Sequence, residues 1–323
     1  MNPAPTIPPC DLRRDLPRWQ HLVTPAWIAA LIAGLPVAAA PAGAWRLFEA
    51  GSGELDAFAA GHIPGAGYLD TAQLEGGAVW NKVPDPQLER ALLAHGIRHD
   101  VTVILYARNV LAAARAAHLL LYAGVADVRL LDGGFAAWRR AGRALAEGPP
   151  RGCVPAARFG ATVPARPDIL FDLAQTRDLL ARGTGALVSI RTWEEFIGAT
   201  SGYSYIEAKG DIPGALWGRA GVDGDVNSMA DFHDADGCMK PAADIAAMWR
   251  ASGIHADRKT VFYCGTGWRA SLAFFYAWLM GWERIAVYDG GWYEWSRATL
   301  TAHRSGGCGA SAAQATHKGN RNG

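Results

Sequence analysis

The sequence predicts an α/β protein made of two copies of one unit, each a mostly parallel sheet with helices on both faces. Three observations carry this. The chain has 323 residues, about two domains at the usual ~150 residues each. Short β-rich apolar runs alternate with helical patterns, as in a helix near 88–95, a strand at 101–106, a helix at 112–123 and a strand at 128–131. Such alternation implies parallel strands joined by crossover helices. The third observation is an internal repeat. His62-Ile63-Pro64-Gly65-Ala66 returns as Asp211-Ile212-Pro213-Gly214-Ala215, and Leu131-Asp132-Gly133-Gly134 with Trp138 returns as Tyr288-Asp289-Gly290-Gly291 with Trp295.

The spacing of the repeat is informative. Ile63 and Ile212 stand 149 residues apart, whereas Asp132 and Asp289 stand 157 apart. Ala107 and Cys264 are also 157 apart. No residue was gained or lost between that position and the Asp-Gly-Gly turn, so one α/β unit was duplicated. Pairing Glu49 with Ser189 gives an offset of 140, which rises to 149 at Ile-Pro-Gly. The second copy therefore carries a nine-residue insertion, placed around 198–210.

The elements follow in order. Residues 1–19 form an extension. Residues 24–33 read as a helix with Thr24 as N-cap and Pro25 in its first turn, followed by a strand at 45–48. The uncharged stretch 26–45 after Arg13 and Arg14 has the look of a signal peptide, which would send the chain to the periplasm. Gly34, Pro36, Pro41 and Gly43 interrupt it, so it is a poor membrane span. The repeat claims the segment for the first domain, 20–145, and a cytoplasmic location is expected. The proline-rich stretch 146–167 reads as a linker, and 168–303 as the second domain. The Gly/Ala/Ser-rich tail 304–323 has no apolar period and is expected to be disordered.

Composition excludes several functions. The net charge is +1, without the basic excess of a nucleic-acid binder. Half of the residues are hydrophobic and 19% are charged, which excludes a disordered chain. The five cysteines, Cys10, Cys153, Cys238, Cys264 and Cys308, form no C-x-x-C pair. Neither a zinc site nor a disulfide framework is indicated, and no cofactor or metal is expected. The nine histidines show no metal-binding spacing, and His62 reads as a turn residue.

One segment stands out for chemistry. A β-run ends at Cys264, and Gly265, Thr266, Gly267, Trp268 and Arg269 follow, with a helix starting near Ala270. Successive N–H groups curled in front of a helix N-terminus form an anion nest, and glycines let the backbone curl. A cysteine there has its thiolate favoured, and Arg269 adds a guanidinium. The alternative is a buried structural cysteine at a strand end. The four other cysteines have no such surroundings. Trp268 inside the loop reads as a pocket wall, whereas Phe274, Phe275, Tyr276, Trp278, Trp292 and Trp295 read as core.

The loop, the Ile-Pro-Gly-Ala turns and the closing Asp-Gly-Gly-x-x-x-Trp resemble tandem-domain rhodanese-like sulfurtransferases over about residues 20–303. The loop is similar to that of a subgroup with Cys-Gly-Thr-Gly-Trp-Arg. The resemblance implies five-stranded sheets, a silent first domain and a second-domain cysteine that carries sulfur as a persulfide. Ala107 at the first-domain position agrees, and so does a loop there without either glycine. It implies a small anionic donor, thiosulfate or 3-mercaptopyruvate, and an acceptor such as cyanide, a small thiol or a thioredoxin-like protein. Nucleic acid and membrane are not expected partners. It also places Arg191 at the active-site mouth, although Ser189 departs from the family's Asp-x-Arg and Glu195 reverses the sign of a second arginine. An ion pair of Arg191 with Glu194 or Glu195 is the alternative. Arg219 is a candidate substitute for that second arginine. Two other classes stay open. A Cys-based phosphatase or arsenate reductase uses a related loop, but Cys264 to Arg269 is Cys-x4-Arg, one residue short of the phosphatase loop. A non-catalytic anion- or partner-binding module is the other.

Overall fold

The computed structural model describes residues 13–306, with side chains to 298. In the first half, strands β1 (Leu22–Val23), β2 (Trp45–Gly51), β3 (Gly67–Asp70), β6 (Thr102–Tyr106) and β7 (Val128–Leu131) form one sheet in the order β1-β7-β6-β2-β3. A hairpin of β4 (Glu75–Gly76) and β5 (Asn81–Lys82) stands apart from it. In the second half, β8 (Leu170–Phe171), β9 (Gly185–Ser189), β10 (Leu216–Trp217), β11 (Lys259–Tyr263) and β12 (Ile285–Tyr288) follow the same order, β8-β12-β11-β9-β10. Every pairing within both five-stranded sheets is parallel. The register bears out the repeat: Glu49 pairs with Tyr106, and Ser189 with Tyr263.

Local chemistry sets the helices. In α1 (Pro25–Ile32), Thr24 accepts the Trp27 N–H and Pro25 opens the helix, as the sequence predicts. The helices α2 (Leu55–Ala60), α3 (Asp85–Ala94), α4 (Val110–Ala123) and α5 (Gly134–Arg140) complete the first half. Helix α4 starts two residues before the expected position because the Asn109 side chain caps it. The second half holds α6 (Leu173–Arg182), α7 (Trp193–Phe196), α8 (Ala242–Ala251), α9 (Trp268–Leu279) and α10 (Gly291–Gly306). Helix α9 begins at Trp268, before the expected Ala270, because Gly267 takes a left-handed conformation and turns the chain directly into the helix.

The structure adds to three expectations. The stretch 146–167 is strapped onto the first domain: Ala146 bridges to His62, the Gly148 N–H donates to the Ala59 carbonyl, and Phe159 is buried. The start of the expected tail, 304–306, belongs to α10, since no breaker precedes Gly306. The rest of that tail and Cys308 lie outside the described residues, as do Cys10 and residues 1–12. His62 is more than a turn residue. It is buried, stacked on Phe58 at 4.0 Å, with Nδ1 3.0 Å from the Phe58 carbonyl. No described helix is long and apolar enough to cross a membrane.

The two halves share a core. Helix α4, alanine-rich on its buried positions, packs along α9, and one apolar cluster runs through both. Backbone bonds across the boundary are reciprocal. The Lys82 N–H donates to Asp289 Oδ2 at 2.8 Å, and the Met239 N–H donates to Asp132 Oδ1 at 2.8 Å. Lys82 and Met239 are related by the repeat offset of 157, as are Asp132 and Asp289, so the domains face each other about a pseudo-two-fold axis.

Candidate active site

Strand β11 is central in its sheet, and the loop after it opens at the carboxyl ends of the strands, where open α/β sheets bind ligands. Gly267 has φ +96°, a backbone favouring glycine, and its N–H donates to Cys264 Sγ at 3.2 Å. The Asp-Gly-Gly turn holds the loop from behind. The Trp292 N–H donates to the Cys264 carbonyl at 2.8 Å and the Tyr293 N–H to the Gly265 carbonyl at 3.1 Å. A Cβ on Gly291 would lie 2.5 Å from each of these carbonyl oxygens, so this close approach requires glycine. In the first copy the Phe135 N–H binds the Ala107 carbonyl in the same way. There Arg108 takes the place of Gly265 and binds Glu49 at 2.8 Å.

Cys264 is 1% exposed and forms the floor of a cavity of about 310 Å³. Thr266, Trp268 and Arg269 line this cavity; Gly265 and Gly267 shape the loop without lining it. Trp268 is a wall, as expected. The core aromatics Phe274, Phe275, Tyr276 and Trp292 are buried, also as expected.

The arginines behave differently from the expectation. Arg269 is 1% exposed and makes a bidentate pair with Glu195, both bonds at 2.8 Å. Arg191 is fully buried, does not line the cavity, and sits 3.4 Å from Glu195. Its other bonds go to the carbonyls of Gly210 and Ser201, at 2.7 and 3.3 Å. Arg191 therefore staples both ends of the inserted segment and is not at the mouth. Glu195, the sign reversal, is what draws it inward. Arg219 does not reach the cavity either. It has φ +67° and lies over the Trp217 ring, 4.8 Å from its centroid.

Electrostatics follow from this cluster. Burial works against the Glu195 carboxylate, but Arg269 outweighs it and holds the group below the usual carboxylate range. Burial pushes Asp211 up to about 6 against the pull of Arg191 and of the Ser189 hydroxyl that donates to it at 2.7 Å. No described group of His, Cys, Asp or Glu has metal-site geometry. Burial also pushes the Cys238 thiol up to about 11, which leaves it protonated.

Sequence reasoning missed the residues that the insertion and the first domain deliver. Tyr203 and Tyr205, both from the insertion, line the cavity. Tyr203 Oη accepts the Gly265 N–H at 3.1 Å and an Arg269 N–H at 2.6 Å. Both bonds leave the phenol its own proton to donate, and burial pushes its pKa up, so it stays protonated. From the first domain, Glu75 and Trp80 enter on the β4–β5 hairpin, with Thr71 and Ala72 just before it. Glu75 Oε1 accepts the Trp268 indole N–H at 2.5 Å. For the two tyrosines the signal was the insertion itself, which the repeat arithmetic locates.

Comparison with known proteins follows the same lines. A family model described as "Rhodanese-like domain" matches residues 46–141 and 172–298. The chain is 53% identical over 283 residues to the thiosulfate sulfurtransferase YnjE of Escherichia coli (strain K12), covering 88% of this chain and 65% of that protein. It thus spans just under two thirds of that relative's length. It is 32% identical over 246 residues to the sulfur carrier protein TtuD of Thermus thermophilus, covering 73% of this chain and 82% of that one. The crystal structure of an anaerobic ergothioneine biosynthesis enzyme from Chlorobium limicola, solved with its natural substrate trimethyl histidine, superposes with a TM-score of 0.83. It shares 37% identity, covering 87% of this chain and 68% of that chain.

Proposed function

Because the chain belongs to the family of proteins built from rhodanese-like domains, we propose that it is a sulfurtransferase with Cys264 as the sulfur carrier. The observation that carries this reading is the contact between Cys264 Sγ and the Gly267 N–H on the floor of a cavity that both domains line. The Cys264 thiolate attacks the outer sulfur of thiosulfate. A Cys–S–S bond forms, the donor's S–S bond breaks, and sulfite leaves with its electron pair. A thiolate or cyanide then attacks the outer sulfur of the persulfide, and the pair of the Cys–S bond returns to Cys264. The reaction is nucleophilic catalysis in two displacements.

The loop N–H of Gly267 and the proton of Tyr203 stabilise negative charge on sulfur. Arg269 acts through Tyr203 and Glu195, not by reaching the donor. 3-Mercaptopyruvate is the other donor of this reading, and a small thiol, cyanide or a thioredoxin-like protein the acceptor. The names of two relatives, a thiosulfate sulfurtransferase and a sulfur carrier protein, support it. The first domain carries Ala107 and no nucleophile. The test is an intact mass after incubation with thiosulfate. One sulfur atom should be gained, lost again on adding cyanide, and absent in Cys264→Ser. No gain with either donor overturns the proposal, and hydrolysis of p-nitrophenyl phosphate would favour the phosphatase reading instead.

A further inference from the structure

The first domain puts a charge into the cavity. Glu75, 3% exposed, accepts the Trp268 indole N–H with Oε1 and Arg115 Nε–H with Oε2, the latter at 2.8 Å. Arg115 is fully buried and also binds Asp289 Oδ1 at 2.5 Å. One guanidinium thus serves two carboxylates, Glu75 and Asp289. Burial pushes the Glu75 carboxyl above its ordinary range, and Arg115 and the Trp268 indole N–H pull it back toward the charged form. Arg269 is the one cationic side chain among the described residues that line the cavity, and it is bound to Glu195. The rest of the wall is aromatic or neutral.

Pseudo-symmetry shows that these charges are not needed to join the domains. Leu272 stands where Arg115 does, and Leu111 where Trp268 does, each 157 residues away. Among the described residues, the one cationic side chain paired with Asp132, the counterpart of Asp289, is the partly exposed Arg13, at 3.9 Å. Apolar residues of similar size usually stabilise a fold at least as well as a buried ion pair. A charge cluster kept on the Cys264 side alone therefore points to the chemistry of that side.

We propose that Glu75 is a specificity-determining residue: with the rings of Trp80, Tyr205 and Trp268, it makes the cavity favour a cationic thiol over an anionic one as sulfur acceptor. The inference rests on the persulfide reading above. The acceptor thiolate attacks the outer sulfur, a new S–S bond forms, and the pair of the old bond returns to Cys264. Meanwhile a positive group on the acceptor meets the carboxylate and the ring faces, a contact that a negative group on the acceptor does not gain.

Three thiols that differ in charge test this: cysteamine, 2-mercaptoethanol and mercaptoacetate. The protein is loaded with thiosulfate, freed of excess donor, and its discharge by each thiol is followed by intact mass. Rates per thiolate are divided by those of the same thiols with a small-molecule persulfide, which removes intrinsic reactivity. The cysteamine-to-mercaptoacetate ratio should exceed the reference about tenfold. It should fall toward the reference in Glu75→Gln, which keeps an oxygen for the Trp268 indole. A wild-type ratio equal to the reference overturns the proposal even if Glu75→Gln does not fold. A preference that survives unchanged in a folded Glu75→Gln overturns the assignment to Glu75. Failure of the wild type to load at all is the separate failure of the persulfide reading, and the inference falls with it.

Discussion

At the scale of single residues, the site depends on side chains that hold other side chains. Glu195 lies between Arg191 and Arg269, and removing its charge leaves two buried guanidiniums with too little to balance them. Glu195→Gln should destabilise the protein by about 3–5 kcal/mol, read as a lowered urea midpoint. Tyr203 is different, because it touches the loop and faces the cavity. Tyr203→Phe removes the oxygen that takes the Gly265 N–H and the Arg269 guanidinium. Transfer from thiosulfate should fall about 10- to 100-fold in kcat/KM, consistent with the ~1.5–3 kcal/mol of a charge-assisted bond. Steady-state rates beside an unchanged far-UV spectrum check this, and undiminished transfer would refute the role given to Tyr203.

At the scale of elements, the junction of β11 with α9 concentrates the constraints. Gly267 caps α9 with φ +96°, and a Cβ there would stand 3.1 Å from Arg115 Nη1. Gly267→Ala combines left-handed strain with this crowding and should cost about 1–3 kcal/mol. It also moves the N–H that contacts Cys264 Sγ, so persulfide yield should drop along with stability. This junction was largely legible in the sequence. Two glycines and an arginine after a β-run state a local geometry that needs no distant partner. Helix α1 was legible for the same reason, since Thr24 and Pro25 act within one turn. The role of Arg191 was legible only as a choice: the ion pair with Glu195, offered beside a place at the mouth, is the one the structure holds. A guanidinium can turn outward or inward, and the choice was made by Glu195 and the carbonyls of an insertion whose path local rules do not set.

At the scale of the whole molecule, the two halves behave as a fused dimer. The reciprocal bonds of Lys82 with Asp289 and of Met239 with Asp132 are what an isologous interface shows. A titratable group is buried within it. His118 in α4 contacts the Phe274 ring of α9, with centroids 4.7 Å apart, and its Nε2 donates to the Ile169 carbonyl at 3.0 Å. Burial, helped by Arg115, holds its pKa down to about 4. The native state therefore resists taking up a proton that the unfolded chain accepts near pH 6.5. The stability present above that pH is lost as pH falls from about 6.5 toward 4, by about 2–3 kcal/mol at pH 4.5. His118→Leu should lose less stability than wild type over that range, measured by urea unfolding at pH 7 and pH 4.5. Equal losses would show that His118 does not set the slope.

The sequence by itself determined that the chain is a duplicated parallel α/β protein, that Cys264 is the one cysteine at a glycine-rich strand-end loop, and where the second copy had grown. These are matters of periodicity, spacing and local backbone chemistry, which act over a few residues or repeat at a fixed offset. Only the tertiary structure decided what the cavity is made of. It turned Arg191 and Arg269 inward onto Glu195, folded the insertion back so that Tyr203 meets the loop, and brought Glu75 and Trp80 across from the first domain. The physical reason is that a buried charge goes where a partner can offset its desolvation. Glu195 is only four residues from Arg191, but it is 74 from Arg269, and Glu75 is 40 from Arg115.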